Sequence, residues 1–466
     1  MNEPPSATIH RIVSAFAAAL SNLGVKADPL HIERWSVLVH EAMAGRARLF
    51  HDSEHIFDVV AGTDGPGDAL EVLSILFHDV VYVQVDGAWD ERVAQLLNGA
   101  VLAESGTYRV GALDAVSDPV AFAVMQVFGL SPGGDLSPFT GLNEFASALV
   151  AARQLAGLLP LSAVIAIAAC IEATIPFRGE DAGGQGSYDR LAARLRQLDG
   201  HPLDEEGVIG SVRRAVRVAN SDVGNFAASD PAAFLEKTWK LLPESNPALH
   251  LTTAYTVRQY RLALGKMEGF LGTLSPARVF HQWGGVPAPG VYAGLLERAT
   301  MNLNIAVRYL RVKLYAACVL EALAELTGGD APLELFAGAI PRAGVEVKRI
   351  DQHLPAELPA SIRDAEIDVD PALLSLFVHG RASDSSFDLR ASPLAAFLYR
   401  WLGEARMSAV AISVKDYAKG RLTALAFLGA QPPAAMAAMA HAAAQVAITR
   451  TAALEALALQ LKSRTT

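Results

Sequence analysis

The chain has 466 residues, more than one typical hydrophobic core organises, so two or more domains are expected. Hydrophobic residues make up 52% and charged residues 19%, which excludes a disordered chain. A net charge of −10 excludes a nucleic-acid backbone as the main partner, because phosphate chains need a basic face, but leaves room for a small phosphate ester held by a metal.

Ala and Leu outnumber the β-branched and aromatic residues, which favours helix. Residues 5 to 23 read as an amphipathic helix through Ile12, Phe16 and Leu20, and Asp28-Pro29 starts a second through Trp35 and Leu38. A helix carrying His51 and His55 on one face is predicted to run to Ala61. Thr63 to Gly67 is a turn, and Ala69 to Asp79 a helix that ends in His78-Asp79. Residues 88 to 103 read as helical and 105 to 142 as irregular, a candidate lid or pocket wall. Asn143-Glu144 opens a helix, and an apolar one follows over 159–173. The uncharged run Gln154 to Ile171 is nearly long enough for a bilayer, but Pro160 interrupts it, and a buried helix is the better reading. Further helices are predicted at 205–222, 249–273 and 290–327. After Thr327-Gly328-Gly329, short β-branched runs (345–347, 373–378, 409–414, 422–427) alternate with helices at 391–406 and 433–462. The expected architecture is mainly α: a helical domain over 1–328 and a small α+β domain over 329–466.

The two cysteines, Cys170 and Cys318, sit in apolar runs and read as buried free thiols, which suits a reducing compartment. The N-terminus lacks the basic region of a signal peptide, and a cytoplasmic protein with no membrane partner is expected. Chemistry concentrates in two stretches, Arg48 to Ile56 and Leu76 to Tyr82. They offer imidazoles and a carboxylate, the donors a divalent metal takes. A further carboxylate is needed. Asp222 arrives, like His78-Asp79, at the end of an apolar helix, whereas Asp230 reads as the N-cap of Pro231 onward. The glycine clusters at 183–186 and 284–285 lack the context of phosphate loops. Arg258, Arg261 and Lys266 share a helix and read as a solvated face.

Arg48, His51, His55 and Ile56, followed by Phe77-His78-Asp79 and Tyr82, resemble the motifs of the HD superfamily of metal-dependent phosphohydrolases, in particular its uncharacterised bacterial members. Phe50 stands where tyrosine is usual. Asn143-Glu144 with Ser147-Ala148, and Ala173-Thr174, resemble later motifs, but Pro176 and Phe177 replace the histidines that usually follow. The layout is also similar to class I cyclic-nucleotide phosphodiesterases, with a looser match at Ala219 to Asn225. The resemblance covers about residues 30 to 275.

This resemblance implies an HD-type helical bundle in which His55, His78, Asp79 and Asp222 hold one divalent metal (Mg, Mn, Zn or Fe), with Asp79 able to bridge to a second. It implies His51 as general acid. Glu144 would orient that imidazole or a metal-bound water, and Asn143 and Thr174 would hydrogen-bond behind the ligands to fix their geometry, or contact the substrate. The implied activity is hydrolysis of a phosphoester in a small, nucleotide-like substrate. Gln259 and Phe270 lie in the region of the phosphodiesterase purine clamp, with nothing to fix them there. The alternative is a metal- or nucleotide-binding sensor or scaffold without turnover. A homodimer through the Ala-rich C-terminal helix is a further expectation.

Overall fold

The computed structural model describes residues 5–63, 67–200, 203–249, 254–340, 347–360 and 367–463. Helices dominate, and the chain forms two compact units. The first joins Met1–Ala227 to Leu274–Thr300; the second joins Ala228–Thr273 to Met301–Thr466.

The first unit contains α1 (Pro5–Asn22), α2 (Pro29–Met43), α3 (Ser53–Gly62), α4 (Ala69–Phe77), α5 (Val83–Asp86) and α6 (Glu91–Leu97). After a hairpin come α7 (Pro119–Val127), α8 (Leu142–Leu155), α9 (Leu161–Ala173), α10 (Ser187–Arg196) and α11 (Glu205–Asp222). The apolar helix α9 lies at the centre, buried from Val164 to Ala173, with α4, α8 and α11 packed on it. From Val164 to Ala173 its side chains are Val, Ile, Ala and Cys apart from the buried Glu172, so it has no polar face to turn to water and is enclosed there on all sides. The same fact answers the membrane question: the uncharged run is split between α8 and α9. No single helix among the described residues is long and apolar enough to cross a bilayer.

Polar contacts set the register of α11 against α4. Arg214 Nε donates to Asp68 at 2.6 Å, and Arg217 Nη2 lies 2.5 Å from Glu71, which is almost fully buried. Burial pushes the Glu71 carboxyl above its usual range, with Arg217 opposing the shift. At the other end, Ser221 Oγ donates to Val59 O of α3 at 2.6 Å. A Cβ at Gly62 would collide with that hydroxyl, so glycine there permits the close approach.

Several sequence expectations are corrected. His51 precedes α3, because the Asp52 side chain accepts from His55 N at 3.0 Å and caps the helix there. Residues 101–104 are strand β1, paired with β2 (Thr107–Val110) and then β3 (Asp135–Leu136) in an antiparallel sheet. The 105–142 stretch therefore holds a hairpin and α7 rather than irregular chain. Thr63 to Gly67 falls partly outside the described residues.

In the second unit no strand appears among the described residues, in place of the expected α+β domain. Runs 373–378, 409–414 and 422–427 lie largely within helices Pro371–His379, Pro393–Ala418 and Ala424–Gly429. Pro371 and Pro393 occupy first turns, where proline is favourable, and Asp370 and Thr423 cap their helices by side-chain hydrogen bonds. These starts outweigh the weak strand preference of Val and Ile. Val345 and Glu346 lie outside the described residues.

The boundary expected at 328/329 falls inside this unit, because a buried polar network ties earlier residues to later ones. Lys313 Nζ bonds Asp388 at 2.8 Å and Ser392 at 3.0 Å, Trp239 Nε1 donates to Asp388 at 2.9 Å, and Tyr309 meets Ser392 at 2.7 Å. Arg258 and Lys266 are exposed, as expected of a solvated face, whereas Arg261 is buried; both arginines pair with the buried Glu321. The 433–462 segment is two helices, Pro433–Ala444 and Thr451–Lys462, packed together. Most alanines of Pro433–Ala444 are buried, whereas Ala452, Ala453 and Ala456 of Thr451–Lys462 are exposed.

Candidate metal centre

Three helix ends meet in the first unit. His55 lies in the first turn of α3, just after its capping residue. His78 is the C-cap of α4, with Asp79 next to it, and Asp222 is the last residue of α11. One ligand atom from each of these four residues lies within 4.8 Å of all the others. His55 Nε2 is 3.0 Å from Asp222 Oδ1 and 3.6 Å from Asp79 Oδ2; His78 Nε2 is 2.9 Å from Asp79 Oδ2 and 3.4 Å from Asp222 Oδ1.

The donors fit a divalent cation. Although 2.9 Å apart, His78 Nε2 and Asp79 Oδ2 are buried atoms that take no hydrogen bond. Buried polar atoms without partners are costly, and an ion among the four groups would satisfy both. His78 Nδ1 donates to Ile75 O at 2.7 Å, which leaves Nε2 facing the centre, the arrangement common to metal-bound histidines.

Electrostatics agree. Burial disfavours charge on His78, Asp79 and Asp222, yet the nearby imidazoles, His78 foremost, hold Asp79 far below the usual carboxylate range. His55, whose Nε2 meets Asp222 Oδ1 at 3.0 Å, and the nearby charge of His78 hold Asp222 at about 2 against the same burial. Burial would lower His78, but Asp79 and Asp222 outweigh it and raise the imidazole well above 6.5. Both carboxylates thus stay ionised, and a proton on the imidazole compensates them where no cation does.

His51 is brought to this centre. Its ring lies 5.6 Å from that of His55 and 4.6 Å, edge to face, from Tyr82, and its charge acts on Asp79. Phe50 touches both histidine rings at 4.9 Å. Glu144 is also close: burial, with added repulsion from Asp79 and Asp222, raises its carboxyl to about 7 against the pull of Arg178. Its Oε2 is buried and has no hydrogen bond.

Asn143 and Thr174 are turned elsewhere. Asn143 Oδ1 accepts from Val83 N at 3.1 Å, and its Nδ2 donates to Gln84 at 2.7 Å. With Ser147, which accepts from Val81 N at 3.0 Å, it secures the chain just after His78-Asp79 rather than a substrate. Thr174 Oγ1 donates to Ile171 O at 2.7 Å and closes α9. Asp230 caps the Pro231 helix, as the sequence indicates. Gln259 caps its own helix by accepting from Thr256 N, and Phe270 shares that helix in the second unit.

Sequence reasoning gave no role to Arg48. The guanidinium is buried, grips Asp86 with two hydrogen bonds of 2.9 and 2.5 Å, and donates to Asp79 O and Val80 O at 2.5 and 3.3 Å. It therefore fixes the backbone that carries Asp79. Its place in the first motif was the available signal. Glu172, which is buried and bound by Arg178 and Arg194, had none beyond being an acid in an apolar helix.

Comparison of the chain with protein-family models, with curated proteins and with solved structures finds no match.

Proposed function

We propose that the first unit is a metal-dependent phosphohydrolase of the HD type. The observation that carries this reading is the set of four donors from three helix ends, two of whose buried atoms lack any other partner. His55, His78, Asp79 and Asp222 hold the cation; a His₂Asp₂ set without thiolate suits Mn, Fe, Zn or a partly hydrated Mg. When bound, the cation polarises a phosphoryl oxygen and lowers the pKa of water at its open positions.

The chain's own groups do the rest. His51, held between Tyr82 and His55, protonates the leaving alkoxide, a step worth about 10²–10⁴-fold. Glu144 Oε2 takes the proton of the attacking water, and a carboxyl near 7 is matched to that task. Arg48, Asn143 and Ser147 keep Asp79 in place through the backbone. The substrate is a small phosphoester.

The test is turnover of bis(p-nitrophenyl) phosphate and p-nitrophenyl phosphate by Mn²⁺-loaded protein. Hydrolysis is expected from the wild type and not from His55→Ala or Asp222→Ala. Loss of activity with retained Mn²⁺ binding is expected from His51→Ala. Stoichiometric metal binding with no turnover of either ester would sink the hydrolase and favour a sensor.

A further inference from the structure

The chain leaving α9 carries a feature that the reaction above does not use. Thr174 ends the helix, Pro176 follows, and Phe177 adopts φ +57°, a left-handed conformation that bulky residues rarely enter. Such a residue persists only where its surroundings dictate it. Here the Phe177 ring meets the Phe226 edge at 5.7 Å, and the next residue is drawn back onto the end of α9. Arg178 Nη1 donates to Glu172 Oε1 at 2.6 Å, and Nη2 donates to Glu172 Oε2 at 3.1 Å and Glu172 O at 3.0 Å. The strained turn thus places one guanidinium.

Charge does not balance at this point. Arg194 Nη2 also donates to Glu172 Oε1, at 2.5 Å, so two guanidiniums share one carboxylate that is 1% exposed. A third cation, Arg278, lies against Gly179, its Nη2 3.2 Å from where a Cβ there would stand. Arg178 keeps Nε–H and one Nη1 hydrogen uncommitted, and about a quarter of its side chain is exposed. It also lies on the Glu144 side of the unit, since Ile175, three residues earlier, and Glu144 Oε2 both flank Gly141, 2.5 and 3.9 Å from where a Cβ there would stand. Its charge acts on Glu144, which feels Asp79 and Asp222, and on Tyr188, which feels Asp222. With a divalent ion held by two carboxylates the centre itself is neutral, and even with Glu144 ionised three guanidiniums stand against two buried carboxylates, Glu172 and Glu144, so one positive charge is left for a ligand.

Resting on the phosphohydrolase reading, we infer that Arg178 binds a second anionic group of the phosphorylated substrate, and that Glu172 is the residue that positions it. The favoured substrate therefore carries, beyond the phosphoryl at the cation, another phosphate or a carboxylate within reach of a guanidinium.

Calorimetric titration of the protein, with Mn²⁺ in excess throughout, separates the possibilities. The probes are inorganic phosphate and imidodiphosphate, whose P–N–P bridge resists hydrolysis. Wild type is expected to prefer imidodiphosphate. Arg178→Met is expected to lose about 10- to 100-fold of that affinity, the effect of a charge-assisted hydrogen bond, while phosphate and Mn²⁺ affinities change little. Glu172→Gln is expected to fall between the two. Mn²⁺ binding with unaltered imidodiphosphate affinity in Arg178→Met overturns this inference alone. No Mn²⁺ binding by wild type overturns the metal reading and this inference with it. If Arg178→Met fails to fold, Arg178→Lys decides, because it keeps the charge beside Glu172 but not the fork. A loss of about tenfold supports the inference, and wild-type affinity overturns it.

Discussion

A cation bound by His55, His78, Asp79 and Asp222 should stabilise the unit that carries them, by an amount that depends on pH. A ligand present at 100 times its Kd adds about 2.7 kcal/mol to the folded state. For a unit of this size each kcal/mol moves the melting temperature by about 2–4 °C, so the rise should be about 5–11 °C. The pH dependence follows from the proton on His78. Its folded pKa is raised, so its stabilising contribution is complete below the ordinary value of 6.5 and is lost as pH climbs through the folded pKa. Asp79 and Asp222 are depressed, so theirs holds above the ordinary 3.8 and fails as pH falls toward the folded values.

Metal-free protein should therefore weaken from neutral pH upward, as two ionised carboxylates lose their compensating proton. Metal-loaded protein should not, since the ion replaces that proton. Each proton displaced makes the logarithm of metal affinity rise by about one per pH unit. Scanning calorimetry with and without Mn²⁺ at pH 6, 7 and 8 measures both effects, with Asp222→Asn as the variant that should lose them. An increment that is the same at all three pH values, or that survives in Asp222→Asn, would refute the assignment of this proton to the ligand cluster.

Other variants probe the supports. Arg48→Met strands Asp86 and frees the Asp79 backbone; it should cost about 3 kcal/mol in urea unfolding and about 10- to 100-fold in Mn²⁺ affinity. Glu144→Gln should leave Mn²⁺ affinity intact, lower the rate about 10²- to 10⁴-fold, and remove the inflection near pH 7 from the kcat/KM profile. Gly62→Ala drives a methyl into Ser221 Oγ, one residue from Asp222; urea unfolding should show a loss of about 1–3 kcal/mol, with weaker Mn²⁺ binding.

The sequence was most legible where periodicity and caps agreed. Helices α1, α2, α9 and α11 lie within a few residues of expectation because proline, Asp28 and Asp204 mark their starts, or an apolar run leaves no other choice. Three of the four residues of the candidate centre, His78, Asp79 and Asp222, were readable because they stand at the ends of such runs, and His55 because it pairs with His51 four residues away. Misreadings arose where one residue type supports two structures. Asp52 could continue a helix or cap it, and its hydrogen bond to His55 N decides for the cap, which lifts His51 out of α3. Asn143 could contact a substrate or support the ligands from behind, and its bond from Val83 N, just past His78-Asp79, is of the second kind. Val and Ile after residue 370 suggested strands, but helix starts at Pro371 and Pro393 prevailed. Glu172 with Arg178 and Arg194 left no trace in spacing, because contacts 6 and 22 residues apart follow from tertiary packing alone.

The direction of the helices explains why the ligands stand where they do. A helix concentrates negative potential at its C-terminal carbonyls, roughly half an elementary charge. His78-Asp79 and Asp222 are delivered by the C-terminal ends of α4 and α11, so backbone and side chains present the same sign to one point. An imidazolium can answer that field only below its raised pKa, whereas a divalent ion answers it at any pH where the carboxylates are ionised. His55 comes instead from the N-terminal turn of α3, where the backbone is positive, and Asp52, accepting from its N–H, offsets that end. Arg48 anchors the intervening backbone through Asp79 O and Val80 O, just past the α4 carbonyl end, and its own charge is met by Asp86. The fixed charges thus sum to a position that attracts a cation and repels a bare phosphate. Under the proposed function, a phosphoester would be accepted there only with the ion in place, which would make loading of the metal the first event and Arg178 the second point of purchase.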